Sequence, residues 1–197
     1  EDGSKILSDR VVSNLNPKLL FQRLVSENDV NPEYLRKILN YKCGSGTFRM
    51  NIALSELPDF KCLPGKDISE HHKSGIVIAP SLSYMDQAYT DAKQFGWSRN
   101  PIVEILIPST VDSTLAPEGK HVASLFCQQF APKLPENKSW HDEKENAANT
   151  IIETVNSFAP NFKESILGKS ILSPLDLEEK IGLLGGDIMH GVMSLDQ

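Results

Sequence analysis

The chain has 197 residues, of which 40% are hydrophobic and 23% charged, values typical of one ordinary globular domain. Its 12 glycines and 12 prolines exclude collagen-like and low-complexity sequence. The formal net charge is −6 and lysine and arginine are not clustered, which argues against a nucleic-acid partner.

Cysteine usage and the chain start indicate the cellular setting. Cys43, Cys62 and Cys127 are odd in number and form no C-x-x-C pair, which indicates free thiols in an intracellular protein. We expect a cytoplasmic location in a bacterium and a mitochondrial one in a eukaryote. The start, Glu1–Ser4, has neither an initiator Met nor a signal peptide, so we expect a piece of a longer protein.

The first third of the chain predicts a strand and two helices. Asp2-Gly3 is a hairpin-turn dipeptide, so Lys5–Val12 is predicted to be a returning strand whose partner would precede residue 1. Asn16-Pro17 and Asn31-Pro32 each open a helix, because proline is favoured at the first helical position, and the second helix ends before Gly44.

The middle of the chain predicts two strands and a helix. Thr47–Leu54 alternates apolar and polar residues, which places one face of a strand on a core. Ile76–Ala79 is a short strand, and a helix then ends at Gly96. The apolar stripe of that helix consists of Leu82, Met85, Tyr89 and Ala92.

The last part of the chain predicts two more strands and several helices. The strands are Ile102–Ile107 and His121–Phe126. A helix begins at the cap Ser139 and reaches about Phe158, with Ala148, Ile151, Ile152 and Val155 on its buried face. Short helical pieces occupy Phe162–Leu167 and Pro174–Lys180. These elements predict an α+β fold: a mainly antiparallel mixed sheet of four to five strands with helices packed on one face.

Neither a nucleotide loop nor a metal site is predicted. Gly44-Ser45-Gly46 precedes a strand instead of opening a helix, and Arg49 stands where a dinucleotide fingerprint needs its third glycine. Adjacent histidines such as His71-His72 would point to opposite faces if they lay in a strand and could not easily chelate one ion. A self-contained hydrolase is disfavoured because no G-x-S-x-G elbow occurs.

The glycine-rich segment Gly186–Met193 is the most distinctive part of the tail. His190 lies in it between methionines, where its ring would be partly desolvated, although a hydrogen-bonded core histidine explains the pattern as well. Met189 and Met193 are spaced for core packing or for lining an apolar ligand.

Three stretches together resemble a known family. They are EDGSK…DRVVSNLNP over Glu1–Pro17, TLAPEGKHV over Thr114–Val122, and GGDIMHGVMSLDQ over Gly185–Gln197. They resemble the hairpin and exit, the strand lead-in and the late glycine-rich segment of the FAD-dependent phytoene desaturase-like oxidoreductases. Within that family the resemblance is to the pyridine nucleotide-disulfide oxidoreductase domain-containing protein 2 group.

The resemblance implies that the chain is the substrate-binding part of a larger enzyme that uses FAD to take hydride from an apolar or small organic substrate. Residues 1–15 would be the hairpin end and exit from a missing flavin-binding domain, and residues 16–197 the substrate-binding cap. Asp187, Met189, His190 and Met193 would line the substrate pocket, and Asn14 would lie near the flavin domain. Catalytic residues are not assigned, and the fragment alone is expected to be inactive and free of FAD.

A second hypothesis is a stand-alone, non-catalytic binding or interaction module derived from such an enzyme. Under the first hypothesis, the partner is the enzyme's own flavin-binding domain. Apolar residues near both termini would then form an exposed patch that favours self-association: Ile6, Val11, Ile188 and Val192.

Overall fold

The computed structural model describes residues 2–44 and 46–195. These residues form two units, one of residues 2–42 with 193–195 and one of residues 43–192. The boundary expected at residue 15 falls inside the first unit and stays a prediction. Four residues of the motifs above lie outside the described residues: Glu1, Ser45, Asp196 and Gln197.

The first unit contains the two predicted helices, α1 (Pro17–Arg23) and α2 (Pro32–Leu39). Each begins as expected, because the side chains of Asn16 and Asn31 accept backbone N–H groups of the first turn and proline follows. The rings of Phe21 and Tyr34 meet edge to face with centroids 5.3 Å apart.

The predicted strand at Lys5–Val12 is wrong. Residues 2–15 contain neither helix nor strand, and the side chains of Ile6 and Val12 are more than nine-tenths exposed. A strand is stabilised by a neighbour that completes its hydrogen-bond ladder, and none of the described residues pairs with this segment.

The second unit is built on a five-stranded sheet with the order β2-β3-β4-β1-β5. All neighbouring strands are antiparallel, which confirms the α+β prediction. The strands are β1 (Phe48–Leu54), β2 (Ile76–Ile78), β3 (Trp97–Leu106), β4 (His121–Phe130) and β5 (Ile166–Leu172). The helices are α3 (Leu82–Phe95), α4 (Trp140–Phe158), α5 (Phe162–Ser165) and α6 (Pro174–Ile181).

The core lies between α4 and one face of the sheet. Every second residue of β1 is buried there, as the alternation predicted, and so is the apolar side of α4. The indole N–H of Trp140 also donates to the Ala131 carbonyl (2.9 Å). The fully buried members from the central strands and the helix include Met50, Ile52, Leu125, Ala148, Ile151 and Val155.

The sequence prediction missed β5. Helix occupies only Phe162–Ser165 of the predicted Phe162–Leu167 segment, and Ile166–Leu172 pairs with β1 as an edge strand. This segment lacks alternating hydrophobicity because most of its side chains are at least partly exposed. Its strand conformation comes from the backbone ladder with β1.

Helix α3 forms where predicted and ends at Gly96, but most of its apolar stripe does not face the core. Leu82, Met85 and Tyr89 are exposed. Asp91 is buried instead, because its carboxylate accepts two guanidinium N–H bonds and the backbone N–H of Arg99. An ion-paired aspartate on the buried side is invisible to hydrophobic periodicity.

None of the helices in residues 2–44 and 46–195 is long and apolar enough to cross a membrane.

The three cysteines are free thiols, and burial raises the pKa of Cys127 far above that of an exposed thiol.

Truncating the core side of α4 should destabilise the protein far more than truncating the exposed side of α3. We expect Ile151→Ala to lower the free energy of unfolding by about 2–5 kcal/mol, because it removes a fully buried side chain. Leu82→Ala, at a residue 84% exposed, should change it by less than about 0.5 kcal/mol. Urea unfolding of both variants measures this, and equal effects would contradict the described packing.

Candidate functional site

The sheet face turned away from α4 is called here the open face, because none of its side chains is fully buried. It carries polar and apolar side chains that are exposed or half-buried. Its members follow from the strand register: Val77, Ile102, Glu104, Leu106, Val122, Ser124, Phe126, Gln128, Arg49, Asn51, Ala53, Gly168, Ser170 and Leu172.

The longest row across the open face crosses all five strands. In sheet order it runs Val77, Glu104, Phe126, Arg49 and Leu172, because each is the register partner of the next. Neighbouring strands lie about 4.8 Å apart, so the row spans about 19 Å. An aromatic ring therefore separates one negative from one positive side chain at the centre of the sheet.

Arg49 is held in place by β4. Its Cζ lies 5.6 Å from the centroid of the Phe126 ring, and its Nη2 donates to the Ser124 hydroxyl (3.1 Å). The ring and the hydroxyl together orient the guanidinium, which remains half-buried.

The next rows are uncharged. One runs Leu106, Ser124, Asn51 and Ser170, and it offers hydroxyl and amide groups beside an apolar side chain. Ala53 begins a small, apolar patch on the far side of this row. The open face therefore presents polar and apolar groups side by side.

The glycine-rich tail is tied to the end of the sheet at which β1 begins. Asp187 is buried, and its carboxylate accepts the backbone N–H groups of Gly44 (2.8 Å) and Met189 (2.9 Å). Gly44 lies just before β1, so the tail is fixed near the end of the sheet that carries Arg49.

Gly186 provides the second contact between the tail and the end of the sheet. A Cβ atom at this residue would lie 2.4 Å from the Pro174 carbonyl oxygen, and its φ is +63°, so only glycine fits. Pro174 opens α6 directly after β5, whose last residue Leu172 is the partner of Arg49. Both contacts therefore lie at the same end of the sheet.

The structure separates the residues that the resemblance assigned to the substrate pocket. Asp187 is buried and bonded to backbone amides, whereas Met189 is 63% exposed. His190 lies at the surface with φ +61°, contrary to the expected desolvation of its ring. Met193 belongs to the other unit and is fully exposed, and Asn14 of that unit is exposed as well. Their roles in binding stay predictions.

Gly44 and Gly46 do not form a phosphate cradle. A Cβ at Gly46 would lie 1.8 Å from the Phe130 carbonyl oxygen, and one at Gly44 would lie 2.8 Å from the Pro132 ring. The space beside these glycines is filled by the chain itself, and a strand follows them instead of a helix. These residues therefore do not fit the pyrophosphate of FAD.

Of the two neighbouring histidines, His72 has a structural role. His72 is fully buried, its Nδ1 accepts the Ser69 N–H and its Nε2 bonds to the Pro58 carbonyl. Burial lowers the pKa of His71 and of His121, and the proximity of His72 lowers both further. Within the described part of the chain, no three or more His, Cys, Asp or Glu side chains are grouped to hold a metal ion.

A shallow groove of about 550 Å³ lies beside α4 and β5, on the covered side of the sheet. Two ion pairs involve its charged lining, Glu153 with Lys163 and Glu145 with Lys169. Its charges are thus already neutralised, which makes the groove a weaker candidate than the open face.

The sequence reasoning did not identify the open face. It placed Arg49 on the polar side of the alternating strand and at the position of the third glycine of a nucleotide loop, and gave it no binding role. The alternation over Thr47–Leu54 does contain the signal, because the polar half of an alternating strand defines a second face.

The chain is similar over its whole length to part of two longer proteins. It is 36% identical over 202 residues to pyridine nucleotide-disulfide oxidoreductase domain-containing protein 2 of Rattus norvegicus. It is 35% identical over the same length to the protein of that name from Mus musculus. The chain spans 35% of each relative, about a third of its length. No family model matches the chain.

Removing the Asp187 carboxylate should loosen the tail. Asp187→Ala leaves two backbone N–H groups without their acceptor, so we expect a loss of about 1–3 kcal/mol in the free energy of unfolding. Amide hydrogen exchange at Gly44 and Met189 should accelerate. Met189→Ala, which truncates an exposed side chain, is the control and should leave the exchange of Gly44 unchanged. Unchanged exchange in Asp187→Ala would contradict this anchoring role.

Asp176 should make the protein acid-labile. Burial raises the pKa of its carboxyl, but bonds from Lys180 and Ser173 outweigh burial and bring the pKa from 3.8 to about 2. A lowered folded-state pKa stabilises the protein above pH 3.8, and this stability is lost as the pH falls towards 2.

We therefore expect Asp176→Asn to lose about 2 kcal/mol at pH 7 and to show a flatter decline of stability between pH 4 and pH 2. Urea unfolding across this range measures both quantities. The exposed Asp86→Asn on α3 is the control, with an expected change at pH 7 below about 0.5 kcal/mol. Parallel curves for wild type and Asp176→Asn would refute the assignment.

Proposed function

We propose that this chain is the substrate-binding part of an FAD-dependent oxidoreductase and that the open face is a wall of the substrate site. The observation that carries the proposal is the similarity over the whole chain to part of a pyridine nucleotide-disulfide oxidoreductase domain-containing protein 2. The relatives are about three times longer, which leaves ample sequence for a flavin-binding part.

The geometry of the chain supports this division of roles. Neighbouring backbone or proline atoms fill the space beside Gly44, Gly46 and Gly186. These glycines therefore cannot cradle a pyrophosphate. We therefore assign FAD to the remaining sequence of the longer protein. There the flavin would accept a hydride from the substrate, which is thereby oxidised, while this chain binds and orients the substrate.

The open face suits that task. One side of the sheet is stabilised by α4, so the residues of the other side are not required for the core and are available to contact a ligand. Apolar groups such as Phe126, Leu106 and Leu172 can cover an apolar substrate, and Arg49 and Asn51 can fix its polar end.

The partner in this proposal is the flavin-binding part of the same polypeptide. The exposed apolar side chains of residues 2–15, Ile6 and Val11 among them, would contact it. The same side chains would promote self-association of the isolated chain.

The complete open reading frame that encodes this chain should yield a yellow protein with one tightly bound FAD per polypeptide. The 197-residue chain alone should stay colourless, and added FAD should leave its Tm unchanged. Flavin absorbance after gel filtration and thermal melts measure both.

A colourless product from the complete reading frame would overturn the flavin assignment and favour the non-catalytic binding module. Stoichiometric FAD on the 197-residue chain would instead show that this chain holds the cofactor itself.

A further inference from the structure

We propose that Arg49 binds the carboxylate of an organic monoanion whose apolar part lies along the open face. The proposal rests on the function proposed above for its setting in an enzyme and adds the chemical class of the substrate. It makes Arg49 a binding residue and assigns it no proton-transfer step.

Arg49 lacks an anionic partner within the described residues. Its guanidinium donates a hydrogen bond to the neutral Ser124 hydroxyl and lies over the Phe126 ring. Arg99 shows the opposite arrangement, because its guanidinium donates through Nε and Nη2 to both oxygens of the Asp91 carboxylate. The chain thus neutralises one arginine of the sheet and leaves the other available to a ligand.

The guanidinium of Arg49 is prepared for an anion. Contact with the Phe126 ring removes water from one side of it, and the Ser124 hydroxyl accepts only one of its five N–H groups. A planar group that is already oriented loses less side-chain entropy when it forms a two-pronged bond with a carboxylate.

The surroundings of Arg49 favour a carboxylate that carries an apolar tail. Its partners in the row are Phe126 and Leu172, and Leu106 on the next row is 47% exposed. A tail that leaves the guanidinium along the sheet would therefore cover apolar side chains, and each buried CH₂ contributes about 0.8 kcal/mol.

Glu104 disfavours anions of higher charge. It is the register partner of Phe126 on the side opposite Arg49 and is exposed. Two strand spacings place it about 10 Å from Arg49, close enough to repel a dianion such as phosphate at low ionic strength. A singly charged carboxylate with an apolar tail fits the row best.

The test is a titration of the 197-residue chain with octanoate, octan-1-ol and inorganic phosphate at low ionic strength, followed by amide chemical shifts in NMR. Octanoate should shift the amides around Ser124, Phe126 and Leu172, whereas octan-1-ol and phosphate should bind at least about tenfold more weakly, a difference of about 1.4 kcal/mol.

Arg49→Gln should weaken octanoate binding about tenfold and remove its preference over octan-1-ol, and Arg49→Lys should fall between Arg49→Gln and wild type. The same charge change in Arg36→Gln on α2 is the control and should leave octanoate binding unaltered. The amide spectrum of each variant also reports whether the sheet is folded.

Equal binding of octanoate and octan-1-ol by wild type, or octanoate binding unaffected by Arg49→Gln, would overturn the assignment. Phosphate binding as tight as octanoate would also overturn it in favour of a general anion site. None of these outcomes depends on flavin, so a colourless full-length protein would refute the proposed oxidoreductase and leave this result standing.

Discussion

The one-sided burial of the antiparallel sheet by α4 is the constraint on which the rest of the structure depends. Ile151 and Val155 pack with Met50 and Leu125, and these contacts complete the core of the sheet. Because successive side chains of a strand point to opposite faces, burying one set leaves the other set outside the core. The open face is the necessary counterpart of this core.

The glycine-rich tail completes one end of the sheet. Asp187 replaces water as the acceptor for two backbone N–H groups, and Gly186 allows the chain to approach Pro174 closely. These contacts place the tail beside the start of β1 and the end of β5. The resemblance assigned this segment to the substrate, and the structure holds its first two residues near the strand ends that carry Arg49 and Leu172.

The places where sequence reasoning was wrong share a physical cause. Hydrophobic periodicity finds faces that are buried by apolar contact, so it located β1 and α4. It could not find β5, whose conformation is set by hydrogen bonds to a neighbour distant in sequence. It also missed the buried side of α3, where the Asp91–Arg99 ion pair replaces an apolar contact.

The sequence by itself determined the α+β class, the helix starts at Asn16 and Asn31, the buried face of β1 and the resemblance to an oxidoreductase. These depend on local periodicity, on capping groups a few residues away and on inherited motifs. Only the tertiary structure decided the strand order and hence the row that brings Arg49 onto Phe126. Residues 49 and 126 meet because a ladder joins strands far apart in the chain, and such a pairing leaves no local pattern.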